Sequence, residues 1–356
     1  MGLFICRGEV DKMKFNIKPE LQYSSCIIVN GYMYFYAVNI KAFVIWKIDS
    51  EHCEYLCELK VGNKPISNID IMLKFKNNIY MLDVSGNYLF CFSTEELSIN
   101  MLKLPCHKED YGNYAGAFII DNQMILVTKE LGKMVIINLI DFTIKESINI
   151  GYGCICDCGK YENSVFVIND IGELKLFDLI KKTFQVVPIQ RLQIDGRGQV
   201  FDSTKYCFID KESKLRVIDI KTGVDLSSED NSIINKDIAY ILWANGKYIV
   251  LPSTSEDILV IDDYKKIIFN EYPKDFGYVG KDAFKYWNYA EDDERYYLAQ
   301  QAANYLVMIE KNTGEFSFRK VIMEPMKQLS LNISRGEISQ ESDNITLEHF
   351  LNKLGE

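Results

Sequence analysis

The sequence predicts an all-β fold made of seven repeated units, and three observations support this prediction. First, a polar turn pair followed by an apolar strand recurs seven times, and each time further strands follow it. Second, the spacing is regular, with intervals of 47, 44, 41, 41, 42 and 48 residues between the turn positions Gly31, Asn78, Asn122, Asn163, Thr204, Gly246 and Glu294. Third, strand patterns fill the units and no helical period interrupts them. Repeats of this length and content are typical of the blades of a β-propeller.

Each unit divides into four predicted strands, because short apolar runs are separated by residues that favour turns. The second unit shows this most clearly, with predicted strands at 69–75, 79–84, 88–93 and 98–104. The third strands align well across the units, for example as AFVIWKID from Ala42 and as YLVMIEK from Tyr305. Stacked repeats bury their apolar faces only against one another. We therefore predict one propeller domain, residues 1–323, with seven four-stranded blades.

The two ends of the chain depart from the repeat. Residues 2–18 contain two short strand patterns, and we expect this hairpin to help close the ring, either on the last blade or as a partial eighth blade. Residues 324–356 form an irregular tail, in which apolar residues at helical spacing predict a short helix at 345–354. This helix either packs on the propeller or docks a partner, so we expect a monomer or a weak oligomer formed through it.

Composition argues against several classes of function. The formal net charge is −10 and the pI is about 5.1, whereas binding to nucleic acid requires clustered Lys and Arg. No apolar stretch reaches 18 residues, so no membrane span is predicted. The first residues lack the apolar region of a signal peptide. We therefore expect a cytoplasmic protein whose ten cysteines are reduced, with neither nucleic acid nor membrane as a partner.

The seven units resemble the broad class of seven-bladed β-propellers, at the level of the architecture that WD40-like, kelch-like and quinoprotein-like proteins share. The resemblance covers about residues 2–323 and is not specific to one family. The chain lacks the Gly-His and Trp-Asp pairs of WD repeats and the double glycines of kelch blades. What the resemblance implies is the architecture alone, because a fold does not determine a function.

The fourth unit begins with a cysteine-rich segment. Cys154, Cys156 and Cys158 alternate along a predicted strand, so their side chains are expected on one side of it. Three thiols on one side could hold a soft metal ion such as zinc. The alternative is packing as small apolar side chains in the core. We favour packing, and no cofactor is expected.

The connections between consecutive units differ in length, and the long ones are the best indicator of function. Three are long, at 106–115, 190–198 and 273–282, and a propeller places them on one face, where recognition residues tend to lie. They carry the Tyr, Phe and Arg side chains that are enriched in binding sites. The candidate ligand-binding residues are Tyr111, Tyr114, Arg191, Asp195, Arg197, Phe276, Tyr278 and Lys281.

Two functions remain open at this point. We favour a non-enzymatic binding or scaffold protein that recognises a protein or a carbohydrate-like ligand at the face with the long connections. The alternative is a propeller enzyme that acts on a glycan through carboxylates at the channel mouth, which would need two opposed carboxylates about 5 to 9.5 Å apart. Candidates on or next to the innermost strands are Asp70, Asp157, Asp202 and Glu291.

Overall fold

The structure is a computed structural model and describes most of the chain between Tyr23 and Met323. The described residues are 23–38, 41–48, 50, 52–105, 114–151, 153–194, 198–202, 204–227, 238–253, 257–262, 266–273, 286–300 and 305–323. The predicted N-terminal hairpin and the predicted tail helix lie outside them. No helix that could cross a membrane occurs in the part of the chain that the structure describes.

The described chain folds into seven antiparallel sheets, which are the seven predicted blades. Blade 1 contains β1 (Tyr23–Val29), β2 (Tyr32–Ala37), β3 (Ala42–Lys47) and β4 (His52–Cys57). A small hairpin follows, made of β5 (Lys60–Val61) and β6 (Lys64–Pro65). Blade 2 contains β7 (Ile69–Phe75), β8 (Asn78–Asp83), β9 (Tyr88–Ser93) and β10 (Ile99–Lys103). Blade 3 contains β11 (Tyr114–Ile120), β12 (Gln123–Thr128), β13 (Lys133–Asn138) and β14 (Thr143–Asn149).

The remaining blades repeat the same order. Blade 4 contains β15 (Ile155–Tyr161), β16 (Ser164–Asn169), β17 (Leu174–Asp178) and β18 (Thr183–Val186). Blade 5 contains β19 (Gln199–Phe201), β20 (Lys205–Ile209) and β21 (Leu215–Asp219), and in the described residues that follow, Asp225 forms a bridge with Ile218. Blade 6 contains β22 (Ile238–Ala244), β23 (Lys247–Pro252), β24 (Ile258–Ile261) and β25 (Lys266–Phe269). Blade 7 contains β26 (Tyr286–Glu291), β27 (Arg295–Gln300), β28 (Tyr305–Glu310) and β29 (Phe316–Lys320), and β30 (Ile322–Met323) follows it.

The blades form a closed ring. The first strands of consecutive blades contact one another, and β1 contacts both β7 and β26. At the outer edge, β30 leaves blade 7 and pairs in parallel with β4, with Ile322 opposite His52 and Met323 opposite Cys53. The segment after the last blade therefore adds a fifth strand to blade 1 and joins the first and last blades.

The core lies between the blades. Among the described residues, buried apolar side chains form seven clusters, and each cluster fills one of the seven interfaces between neighbouring sheets. At the closing interface, Phe35 and Val44 of blade 1 pack in one cluster with Leu306 and Met308 of blade 7. Each blade thus buries both of its faces against neighbours, which explains the nearly continuous apolar runs of the second and third strands.

Most first strands share a β-bulge next to their first residue. In blades 2, 3, 4, 6 and 7 the ladder skips one residue, namely Asp70, Ala115, Cys156, Ala239 and Trp287. A bulge of this kind bends a strand and increases its twist. It recurs where the first strands begin, which is the end of the channel at which the connections between blades arrive.

The tight turns between first and second strands use left-handed backbone conformations. The first turn residue has φ of +53° at Asn30, +55° at Asp121, +49° at Glu162 and +48° at Asn245. Asparagine and aspartate tolerate this region better than residues with long side chains do. Glu162 is therefore a strained member of this group, as is Lys76 with a φ of +55° in the corresponding turn of blade 2.

We expect Glu162→Asn to raise the free energy of unfolding by about 0.5 to 1 kcal/mol, because asparagine fits the left-handed region at lower cost. Urea denaturation followed by fluorescence measures the change. The matched control is Glu294→Asn, which makes the same charge change in the corresponding turn of blade 7, where no positive φ is found. Equal effects of the two substitutions would show that backbone strain at Glu162 is not the cause.

Candidate ligand-binding surface

The connections between blades share one face with the turns between second and third strands, as predicted for a propeller. After blade 4 the chain crosses this face in segment 187–194. The backbone N–H of Leu192 donates to the carbonyl of Gly172 in the turn of blade 4 (2.9 Å), and the N–H of Lys211 in blade 5 donates to the carbonyl of Gln193 (2.9 Å). Segment 187–194 is therefore fixed across two neighbouring blades.

The structure places two of the eight predicted ligand-binding residues. Arg191 lies in segment 187–194, and its side chain is exposed, as is that of Gln193. Tyr114 is only 3% exposed and packs in the cluster between blades 2 and 3. It is the first residue of β11, so its side chain belongs to the core and not to the surface on which it was predicted. The other six residues lie outside the described part of the chain: Tyr111, Asp195, Arg197, Phe276, Tyr278 and Lys281.

Gly172 allows segment 187–194 to approach the turn of blade 4. Its φ is +80°, and a Cβ atom at this position would lie 2.1 Å from the carbonyl oxygen of Leu192 and 2.6 Å from its nitrogen. Any side chain would therefore meet backbone atoms in a conformation that already disfavours side chains. Glycine is required here because the two backbones touch.

The turns on this face are supported by a recurring buried polar residue at the end of the second strand. Asp83, Thr128, Asn169 and Asp210 are each 5% or 6% exposed. Each accepts a hydrogen bond of 2.8 or 2.9 Å from the backbone N–H of the residue four or five positions later. This position was not predicted from the sequence, although it recurs five residues after the turn position of blade 2 and six residues after those of blades 3 to 5. These side chains make the turns rigid and thereby fix the surface above them.

Two carboxylates at this recurring position have opposite electrostatic environments. Burial raises the pKa of Asp83 above its ordinary value of 3.8, and the hydrogen bonds that it accepts from Ser85 and from the backbone of Tyr88 only partly counter this. Burial also disfavours ionised Asp210, but the hydrogen bond from Arg216 Nε (2.7 Å) leads the opposing effects, and the pKa of Asp210 is lowered. Ionisation of Asp83 therefore opposes folding, and ionisation of Asp210 favours it.

We expect Asp83→Asn and Asp210→Asn to have opposite effects on stability at neutral pH. Because the folded-state pKa of Asp83 is raised, its protonated carboxyl group stabilises the fold at pH values below 3.8, and this stability is lost as the pH rises through the folded pKa. Asp83→Asn should therefore be more stable than the wild type at neutral pH and should lose this advantage in acid. A lowered pKa gives stability above 3.8 that is lost as the pH falls through the folded pKa, so Asp210→Asn should destabilise at neutral pH, by about 1 kcal/mol. Urea denaturation of both variants from acid to neutral pH measures the change in the free energy of unfolding. Changes of the same sign in both variants at neutral pH would contradict the directions of the two pKa shifts.

A buried carboxylate joins blades 4 and 5 beneath the same face. Asp157 in β15 is 4% exposed and accepts hydrogen bonds from the backbone N–H of Gly198 (2.7 Å) and from the hydroxyl of Tyr206 (2.5 Å). The N–H of Cys158 donates to its other oxygen (2.8 Å). A Cβ atom on Gly198 would lie 2.3 Å from the Tyr206 ring, so glycine allows this approach. We refer to Asp157, Gly198 and Tyr206 as the inter-blade clamp.

The candidate carboxylates of the enzyme alternative lie at opposite ends of the first strands. Asp70 and Asp157 are near the start, and Asp157 is engaged in the inter-blade clamp. Asp202 follows β19, Glu291 ends β26, and each forms a salt bridge with a lysine. The two ends of a first strand are four residues apart, which corresponds to roughly 13 Å. The two carboxylates of a glycosidase must lie closer together than this. Pairs drawn from opposite ends therefore do not form the predicted geometry.

The three cysteines of the fourth unit do not form a metal centre with one another. Cys156 occupies the bulge of β15 and is exposed, while Cys154 and Cys158 are half-buried. Partial loss of solvent around the Cys156 thiol is the main cause that raises its pKa, and the nearby Cys154 and Asp170 raise it further. The protonated form of this thiol is therefore favoured. Within the described ranges, no group of three or more His, Cys, Asp or Glu side chains is arranged to hold a metal ion.

Comparison with known proteins identifies the fold and no family. No protein-family model matches the chain, and no curated protein is significantly similar in sequence. A streptogramin B lyase structure is similar with a TM-score of 0.61 at 10% identity, over 86% of this chain and 96% of that one. The structure of U3-55K gives a TM-score of 0.57 at 10% identity, over 80% of this chain and 94% of that one.

PorZ of Porphyromonas gingivalis, a surface component of the type-IX secretion system, gives a TM-score of 0.57 at 9% identity. The match covers 86% of this chain but 39% of PorZ, so this chain spans well under half of that protein. At identities near 10% these similarities concern the fold alone. They agree with the seven sheets described above, and the chain is a seven-bladed β-propeller, as its sequence predicted.

Proposed function

We propose that the chain is a cytoplasmic, non-enzymatic binding protein that recognises a protein partner at the face carrying segment 187–194. The observation that carries the proposal is the fixation of this segment by backbone hydrogen bonds to blades 4 and 5, which leaves Arg191 and Gln193 exposed. A surface that is already ordered loses little conformational entropy on binding. Arginine is also among the residues that contribute most at protein interfaces.

Three further observations support the proposal. The described buried carboxylates Asp83, Asp157 and Asp210 each accept hydrogen bonds within the scaffold, so each has a structural role. The net charge of −10 disfavours a nucleic acid partner. Five of the described cysteines are free thiols, which is the state expected in a reducing compartment: Cys26, Cys91, Cys154, Cys156 and Cys207.

The proposal is tested by quantitative affinity capture from native lysate with two charge reversals. Arg191→Glu should reduce the captured partner at least tenfold, because it reverses the charge at the centre of the fixed segment. The matched control is Lys221→Glu, an exposed residue on the opposite face of blade 5, which should leave capture unchanged. Equal capture by both variants would place the binding site elsewhere. Loss of capture after glycosidase treatment of the lysate would instead identify a carbohydrate-like ligand.

A further inference from the structure

A cleft of about 470 Å³ opens between blades 5 and 6, on the face opposite segment 187–194. Its floor contains Phe201 and Trp243, the last or nearly last residues of β19 and β22, together with Tyr248 at the start of β23. Asp202 and Lys205 line its rim. Its volume lies within the range of small-molecule sites, roughly 300 to 1,000 Å³.

The cleft lies beside the outer edge of blade 5, where the described residues include only a short part of a fourth strand. In residues 224–227, Leu226 N–H donates to the Val217 carbonyl (2.7 Å) and Asp225 forms a bridge to β21. Leu226 forms part of the wall and is 46% exposed. The other six blades have complete fourth strands. Between blades 5 and 6, the side chains of Trp243 and Tyr248 are partly open to solvent.

The three aromatic rings form one packed floor. Phe201 and Trp243 stack with their centroids 4.9 Å apart and their planes at 24°. Tyr248 packs edge-on against Trp243 (4.6 Å) and against Phe201 (5.6 Å). Because the rings touch one another, they leave no cage between them for a cation. They offer instead a continuous apolar surface, of which Trp243 and Tyr248 are the half-buried parts.

The rim is polar but electrically balanced. Lys205 Nζ lies 3.1 Å from Asp202 Oδ2 and 5.8 Å from the centre of the Phe201 ring. The carboxylate and the ammonium group neutralise each other, so neither an anion nor a cation finds an uncompensated charge there. Both groups can still exchange hydrogen bonds with hydroxyl groups, since the carboxylate accepts and the ammonium donates.

We propose that this cleft binds the pyranose ring of a neutral saccharide. A pyranose has an apolar C–H face and a rim of hydroxyl groups, which matches an aromatic floor beside a neutral pair of hydrogen-bonding groups. The C–H face of the ring stacks on Trp243 and meets Tyr248 at an angle, because the planes of these two rings are 61° apart. The hydroxyls of the saccharide donate to Asp202 and accept from Lys205. The site is separate from the protein-binding face, because it lies at the other end of the strands.

In the test, the wild-type protein is titrated with methyl glucoside, methyl galactoside, methyl mannoside and methyl N-acetylglucosaminide. Saturation-transfer NMR and tryptophan fluorescence monitor the binding. At least one pyranoside should give a saturable signal with a millimolar Kd. Sorbitol has hydroxyl groups but no ring face, so it should give none. The proposal is overturned if no pyranoside binds, or if sorbitol binds equally well.

Two variants locate the binding. Trp243→Leu removes the stacking surface, and Asp202→Gly removes a rim group without adding strain, because Asp202 has a φ of +49°. Each should raise the Kd at least tenfold. Asp121→Gly is the matched control, since Asp121 occupies the same turn position in blade 3 with a φ of +55°, and it should leave the Kd unchanged. If Trp243→Leu fails to fold, Asp202→Gly alone tests whether the saccharide binds in the cleft. An unchanged Kd of the Asp202→Gly variant would place the binding outside the cleft.

Discussion

Asp157→Ala is expected to lower the free energy of unfolding by about 3 kcal/mol. The carboxylate is buried and accepts hydrogen bonds from the Tyr206 hydroxyl and from the backbone N–H groups of Gly198 and Cys158. Its removal therefore takes the acceptor from the buried Tyr206 hydroxyl and from two part-buried N–H groups. Each such donor costs about 1 to 3 kcal/mol. Burial and the negative charge of Asp157 raise the pKa of Tyr206, which keeps its hydroxyl protonated and able to donate. The loss should therefore persist across the neutral pH range.

Urea denaturation of single and double variants tests the inter-blade clamp. Tyr206→Phe removes one donor and keeps the ring, so it should cost about 1 kcal/mol. The double variant should lose less free energy of unfolding than the sum of the two single losses. When Tyr206 has already been replaced by Phe, Asp157→Ala leaves one donor fewer without an acceptor. Asp293→Ala, at an exposed turn position, should change stability by less than about 0.5 kcal/mol. Additive losses would show that Asp157 and Tyr206 do not act as a pair.

The repeat could be predicted from sequence because its signals are local. Two predicted strands of the second unit, 69–75 and 88–93, coincide with β7 and β9, since apolar runs and turn residues lie next to each other in the chain. The bulge at Cys156 could not be predicted, because an unpaired residue is defined only by the strand opposite it. Closure by β30 likewise depends on pairing with β4, some 270 residues earlier in the sequence.

The surface and the contacts between blades were harder to predict than the repeat, for three physical reasons. Tyr114 was placed in a connection because its neighbours are polar, yet β11 begins at this residue and turns its side chain into the core. The inter-blade clamp joins residues 49 positions apart, and no pattern within one repeat reveals such a contact. The aromatic cleft between blades 5 and 6 is lined by side chains of two units, and the pattern of one repeat does not show which side chains meet there. By contrast, the polar residue that ends the second strand could have been found by aligning the units.

Gly172→Ala is expected to destabilise the fold by about 3 kcal/mol and to release segment 187–194 from blade 4. A left-handed φ of +80° costs a residue with a Cβ atom about 1 to 2 kcal/mol. The new Cβ atom would also lie 2.1 Å from the carbonyl oxygen of Leu192, so the backbone must move. That movement breaks the hydrogen bond from Leu192 N–H to Gly172, which adds about 1 kcal/mol. Under the proposed function, capture of the partner should fall together with stability.

Gly151→Ala separates the cost of the left-handed backbone conformation from the cost of the contact between the added Cβ atom and Leu192. Gly151 has a similar φ of +78° but no atom within 4 Å of the added Cβ, so this variant should lose only the conformational part, about 1 kcal/mol. Amide hydrogen exchange then reports on segment 187–194 itself. The N–H groups of Leu192 and Lys211, which hold the segment in place, should exchange faster in Gly172→Ala and at the wild-type rate in Gly151→Ala. Equal exchange in the two variants would mean that Gly172 is needed for its backbone conformation alone and not for the contact that orders the surface.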